Sequence, residues 1–204
     1  MNKPAKKFDP ARASKRDRTR TALIDAASAL IGERGYERTS LEAVAQRAGM
    51  SRGAIYGNFA DRDALFLAVA ETAWRPIAPD FPPGATFADQ MRLLGEAVAD
   101  EAVVRRGAAV GAISFQLYVL THPAIRGRLL AHNRETYRLL AQRLSSAVAP
   151  NALPMPAEDF VKATHALIEG LMLTHFLTPE LITRAVIIGA FKALGGEPPD
   201  GRMA

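Results

Sequence analysis

Three features predict an all-α chain with a small N-terminal head and a larger C-terminal helical domain. Apolar residues recur at three- and four-residue spacing along most of the 204 positions, the period of a helix with one face covered. Cap and stop residues punctuate these runs at helical lengths, and no segment alternates with the period of a strand. About nine helices are expected on this pattern.

Residues 1–15 carry Pro4, Pro10 and many charges and are expected to be a flexible basic arm, disordered until bound. Leu23, Ala26, Ala27, Leu30 and Ile31 recur at helical spacing; Gly35 is placed to end that first helix, and Tyr36 to pack beneath the turn. Thr39 and Glu42 have the T-x-x-E spacing of a capping box, which predicts a helix opening near Ser40 and running to Arg47, with Leu41, Val44, Ala45 and Ala48 inward. Gly49 can take the left-handed backbone of a helix C-terminus, Met50 can turn back to the core, and Ser51 can cap a further helix through Ile55 to Phe59. Asp61 can cap a fourth helix through Leu65, Phe66, Val69, Ala70 and Ala73 to Trp74. Pro76, Pro79, Pro82, Pro83 and Gly84 then break the chain. The implied plan is a head at 16–60, a connecting helix at 61–75, a second domain at 76–196 and a flexible tail at 197–204.

Beyond the break, Thr86 can cap a helix to about Val104, and an apolar helix from Ala108 to Leu120 follows Gly107. After Thr121-His122-Pro123 an amphipathic helix is predicted from Ala124 to about Val148. Its inward residues are Ile125, Leu129, Leu139, Leu140 and Leu144; Arg126, Arg134, Arg138 and Gln142 form a solvated face. A loop from Pro150 to Pro156 leads to a helix over 157–177, and Thr178 with Pro179 is read as the start of a last helix to Leu194.

The segment Thr39 to Phe59 is thus a helix-turn-helix whose second helix offers Arg52, Tyr56 and Asn58 outward. Such a helix lies in the major groove and reads bases from its N-terminal end, here Arg52, Gly53 and Ala54. Capped helix pairs joined by Gly also occur in helical proteins with no nucleic-acid role. Charge placement separates the two: residues 1–75 hold 14 Lys and Arg against 9 Asp and Glu, whereas residues 76–204 are balanced at 12 each. The first 20 residues alone hold Lys3, Lys6, Lys7, Arg12, Lys15, Arg16, Arg18 and Arg20 against Asp9 and Asp17. A surplus so placed favours a polyphosphate through counterion release. Chemically, the Arg52 fork can pair two acceptors on a guanine edge.

Composition agrees: 49% hydrophobic and 23% charged residues describe an ordinary globule with material for a core. No run reaches the roughly 18 uninterrupted apolar residues of a membrane helix, and no secretory signal is visible, so a cytoplasmic location is expected. Cysteine is absent, which excludes disulfides and thiolate chemistry.

Thr19 to Val69 resembles the N-terminal domain of the TetR family of bacterial transcriptional regulators. The resemblance is carried by Ile24-Asp-Ala-Ala27, Glu33-Arg-Gly-Tyr36, Thr39-Ser40, Val44-Ala45, Ala48-Gly-Met-Ser-Arg-Gly-Ala-Ile-Tyr56, Asn58-Phe59 and Asp61-Arg-Asp-Ala-Leu65, in order and without gaps. It implies a three-helix DNA-binding domain, a connecting fourth helix, and a helical domain that dimerises and holds a small ligand. By position, Thr39 and Ser40 match the family's phosphate-contacting start of the second helix. Ser51, Arg52, Gly53 and Ala54 match the base-reading start of the third, Tyr56 its phosphate-contacting aromatic, and Arg62 the basic residue at the start of the fourth. Gly57, beside Asn58, departs from the pattern, which often has a larger side chain there, so one contact is in doubt.

The last two helices are apolar around more than one face and need cover on both sides. A second subunit is the economical cover, which gives a homodimer interface of Leu167, Gly170, Leu171, Thr174, Phe176, Ile182, Val186, Gly189 and Phe191; a monomer core is the competing reading. A small-molecule site is expected among Met91, Phe115, Gln116, Tyr118, Val119, His122, Tyr137, His165, Met172 and Phe176, each of which could instead be core packing. His122, His132, His165 and His175 include no i, i+4 pair, so neither a metal nor a cofactor is expected. His165 with Glu169 reads as a local pair, and no catalytic motif is present. The expected function is a dimeric, ligand-responsive repressor of a palindromic operator, not an enzyme. The alternative is a small-molecule binding or sequestering protein whose helix-turn-helix is only a packing or protein-contact module.

Overall fold

A computed structural model describes residues 14–73, 75–148 and 152–196, which form nine α-helices and, among the described residues, no strand. Lys3, Lys6, Lys7 and Arg12 of the basic arm, Trp74, and the tail at 197–204 lie outside the described residues. Helix α1, Lys15–Arg34, begins inside the expected arm because Ser14 and Asp17 close a capping box. The Ser14 hydroxyl accepts from the Asp17 amide at 3.1 Å, and the Asp17 carboxylate accepts from the Ser14 amide at 3.0 Å. Lys15, Arg16, Arg18 and Arg20 are therefore helical. The helix ends at Gly35, whose φ of 79° favours a residue without Cβ.

Helix α2, Leu41–Arg47, and α3, Arg52–Tyr56, pack with α1 and α4, Arg62–Ala73, around Leu23, Ala27, Ile31, Val44, Ile55, Leu65 and Phe66. Tyr36 is buried as predicted, edge-on to Phe66 with centroids 4.7 Å apart, and burial pushes its phenol pKa up. The predicted Thr39–Glu42 box is corrected: Ser40 caps α2, accepting from the Ala43 amide at 3.2 Å. Thr39 is buried, and its hydroxyl donates to the Gly35 carbonyl at 2.8 Å. Helix α3 is also shorter than predicted, ending before Gly57. Asn58 turns its side-chain amide back to the Ala54 carbonyl at 2.8 Å, and Phe59 is buried.

The described residues divide into two compact units after Ala73. The second is built of α5 (Phe87–Arg105), a 3-10 turn (Arg106–Ala108), α6 (Ala109–Thr121), α7 (Pro123–Ala147), α8 (Ala157–Leu177) and α9 (Arg184–Leu194). Thr86 and Asp89 form a capping box at α5. This helix lies along α9 so closely that a Cβ at Gly95 would stand 2.9 Å from the Phe191 Cβ. Met91, Val98, Ala102, Phe160, Met172, Ile187 and Phe191 form the core, and α7 packs along α8. The stretch Phe87–Thr121 has the length and hydropathy of a membrane-crossing helix, but the turn at Arg106–Ala108 divides it and one face of α5 is packed into the core.

Two predictions fail here for local reasons. Leu139 is exposed, Leu140 half-buried and Ala141 buried; successive residues are turned by about 100°, so an inward stripe centred on 140 and 141 leaves 139 outside. The Thr178-Pro179 pair does not open the last helix. The Thr178 amide bonds the Thr174 carbonyl, closing α8, and its own carbonyl accepts from Leu181 and Ile182 in a single turn. Thr183 then caps α9, accepting from the Val186 amide at 3.4 Å. Proline just past a C-cap stops a helix as readily as proline at N1 starts one.

Candidate nucleic-acid interface

A five-residue helix has no stability of its own, so α3 is held by what surrounds it. Gly49, at φ 65°, lets the chain leave α2: the Gly49 amide bonds the Gln46 carbonyl at 3.1 Å and the Met50 amide the Ala45 carbonyl at 2.8 Å, the pair of bonds of a Schellman stop. Ser51 opens α3 by accepting from the Ala54 amide at 3.2 Å. Ile55, fully buried, anchors the inner face. Ser51, Arg52, Gly53, Tyr56 and Gly57 are left exposed, with Ala54 and Asn58 half-buried.

Arg20 of α1 donates to the Asn58 carbonyl at 3.1 Å and lies 4.4 Å over the Phe59 ring, so one member of the predicted basic surplus is committed to packing. Arg47 makes a two-pronged pair with Glu33 at 2.9 and 2.6 Å. Arg62 donates to the carbonyls of Tyr36 and Glu37 and stacks over Phe66 at 4.9 Å. Its guanidinium is thus engaged in holding the loop between α1 and α2. Of the residues predicted to meet DNA, Ser40, Ser51, Arg52, Gly53, Tyr56 and Gly57 are exposed together at the ends of α2 and α3, whereas Thr39 is inside.

Glu42 is the member of this surface that sequence reasoning placed only as a cap. Its Oε1 accepts from Arg52 Nη2 at 2.9 Å and from Tyr56 Oη at 3.4 Å. Its carboxyl is held below the usual range by its own backbone N–H first, then by the charge of Arg52 and by the bonds from Tyr56 and Arg52. No spacing rule would have found this contact, because it crosses the turn between two helices.

In the second unit the ten predicted ligand residues do not line one interior. Met91 and Met172 belong to the packed core, with Phe176 against its edge. Phe115, Tyr118 and Val119 are the buried side of α6, and His122 stacks on Tyr118 at 3.8 Å. Gln116, Tyr137 and His165 belong to a polar chain across α6, α7 and α8. Gln116 Nε2 donates to Glu169 at 3.0 Å, Tyr137 Oη and His165 Nδ1 share a hydrogen bond at 3.0 Å, and His165 Nε2 stands 4.0 Å from Glu169. Burial pushes the Glu169 carboxyl up, opposed by His165, Gln116 and Arg105.

The predicted interface residues also separate. Phe191 is fully buried in its own chain and is removed from that set; Leu167, Leu171, Phe176 and Ile182 lean on the same core. Gly170, Thr174 and Val186 face outward. Beside them are two leucines that the prediction left out of the set, Leu177 and Leu181, at 66% and 71% exposure.

Comparison with known proteins finds likeness over the head and, more weakly, over most of the chain. The family described as bacterial regulatory proteins of the tetR family matches residues 23–69. The HTH-type transcriptional regulator SrpR of Pseudomonas putida is 24% identical over 191 residues, 92% of this chain and 90% of that protein. An HTH-type transcriptional repressor of Mycobacterium tuberculosis is 43% identical over 51 residues, 25% of this chain and 27% of that one. A solved transcriptional regulator from Rhodococcus sp. Rha1 has a TM-score of 0.61 at 22% identity, over 87% of this chain and 94% of that one, and so shares the fold.

Proposed function

We propose that this chain, whose residues 23–69 match the tetR family of bacterial regulatory proteins, is a DNA-binding regulator of that family, a homodimeric repressor released from a palindromic operator by a small, largely apolar ligand. The observation that carries this reading is the exposure of Arg52 at the start of α3 while Ile55, three residues on, is fully buried. The buried Ile55 fixes which side of that helix faces out, and its exposed start carries a side chain able to pair with a guanine edge. Ser40 and Ser51 hydroxyls accept from backbone amides and keep a hydrogen to donate to phosphate; Tyr56, whose one hydroxyl hydrogen goes to Glu42 in the free protein, becomes a third donor on exchanging that bond for a phosphate. Gly53, Ala54 and Gly57 let the backbone approach, and Asn58 supports the end of the helix.

Two heads on one dimer read half-sites about 34 Å apart or a multiple of that. We assign the dimer contact to the outward face of α8 and α9, from Gly170 through Leu177 and Leu181 to Val186. The ligand site is assigned to the buried side of α6 with Gln116, Tyr137 and His165 as its polar edge. A ligand preferring the splayed arrangement of heads lowers operator affinity in proportion to that preference. Such a regulator acts in the cytoplasm, where the DNA is.

The test is a salt-dependent gel shift on the region upstream of the protein's own gene. Binding should weaken steeply with salt, and Arg52→Ala should relax base preference. Equal, salt-insensitive binding by both proteins would contradict the reading.

A further inference from the structure

We propose that Glu42 is a specificity-determining residue: across the turn it positions the Arg52 guanidinium, so that Arg52 meets a base edge in a fixed orientation and meets phosphate at a penalty. This rests on reading α2 and α3 as the DNA-contacting pair. Arg52 is a long side chain, 72% exposed, on a five-residue helix. Unheld, it would sample many rotamers and take any phosphate within reach, because phosphate contacts need charge but little geometry. Glu42, in the first turn of α2, supplies the hold. A single oxygen accepts from Arg52 Nη2 and from Tyr56 Oη, so three side chains from two helices converge on one atom.

The consequences for the two kinds of contact differ in sign. A carboxylate on a surface that meets a polyanion repels phosphates within about a Debye length, roughly 10 Å, and offsets the counterion release that Arg52 would supply. That lowers affinity for every duplex alike. Toward a guanine, however, the Glu42 bond occupies one Nη2 hydrogen and leaves the second beside the Nη1 pair, a planar set of donors matched to O6 and N7. The orientation cost is met before DNA arrives. Discrimination is a difference of affinities, and Glu42 widens it mostly from the non-specific side.

The experiment uses the full chain and two duplexes of about 30 base pairs, long enough for two half-sites: a random-sequence pool, and the sequence enriched from that pool by the wild-type protein. Glu42→Gln should bind the random pool more tightly, with a salt slope steeper by about one phosphate equivalent. Its preference for the enriched duplex should fall on the order of two- to fivefold, the range of an exposed ion pair, at the bases under Arg52. Without DNA, 15N relaxation should show faster reorientation of the Arg52 side chain in E42Q. Thermal unfolding should be unchanged, since Ser40 caps α2. Wild-type discrimination retained in E42Q overturns the proposal alone, as does uniform loss of binding with a lowered melting temperature, which would mark Glu42 as a residue of the fold. No salt-dependent binding by the wild-type protein to either duplex overturns the DNA reading and this proposal together.

Discussion

The Arg20 guanidinium lies 4.4 Å over the Phe59 ring and donates to the carbonyl of the residue before it, tying α1 to the chain that leaves α3. Arg20→Ala should loosen α3 at a cost of about 1–2 kcal/mol. Arg20→Lys should recover only part, since an ammonium lacks the planar face. Hydrogen exchange is the measurement: the amides of Ile55 to Phe59 should lose protection in the alanine variant, while those of α8 keep theirs.

Gly95→Ala tests the close approach of α5 to α9 in the second unit. The added Cβ would stand 2.9 Å from the Phe191 Cβ and 3.2 Å from the Ile188 Cα, neither of them the far end of a flexible side chain. Overpacking of this kind costs about 1–3 kcal/mol, and a lowered urea midpoint should reveal it. An unchanged midpoint would mean that α5 and α9 slide apart at no cost.

Glu169 makes a prediction about pH. Burial raises its carboxyl above 4.5 in the folded chain, so between the unfolded and folded values the native state binds more proton. Stability should therefore be greatest with the group protonated, fall as pH rises through that interval, and then level off. Glu169→Gln should remove this decline. The difference in urea midpoint between wild type and E169Q, followed from about pH 4 to about pH 7, isolates the group from the other carboxylates.

Leu177 and Leu181 separate self-association from folding. Both are largely exposed in the single chain, so Leu177→Asp with Leu181→Glu should leave its unfolding nearly unchanged and convert a dimer to a monomer in sedimentation. Phe191→Ala, by contrast, removes a fully buried ring and should cost about 3–5 kcal/mol. A double variant that still sediments as a dimer would place the interface elsewhere.

What could be read from the chain beforehand follows the range of the interactions. Gly49, Ser51 and Ile55 act within a few residues of themselves, and their roles were legible because cap, stop and period rules are local. Arg62 was expected to face phosphate, but it reaches back 26 positions to the Tyr36 carbonyl; a basic side chain at a helix start looks the same whether it points to solvent or to a loop. Leu139 and Leu140 are indistinguishable by composition, and the phase of α7 against α8 decided between them. Phe191 and Val186 both lie on an apolar helix, yet only the approach of α5 at Gly95 shows which one the chain keeps for itself. The Glu42 contact needed the third dimension altogether.

The buried anchor at Ile55 and the exposed tip at Arg52 and Gly53 occupy one helix but answer to different demands. Residues at the tip can be exchanged with little consequence for folding, because neither Arg52 nor Gly53 contributes to the hydrophobic interior of the head. If the tip reads bases as proposed, a lineage carrying this scaffold can drift from one target sequence to another by single replacements, without passing through unfolded intermediates. The same partition makes the tip the natural place to retarget the protein by design.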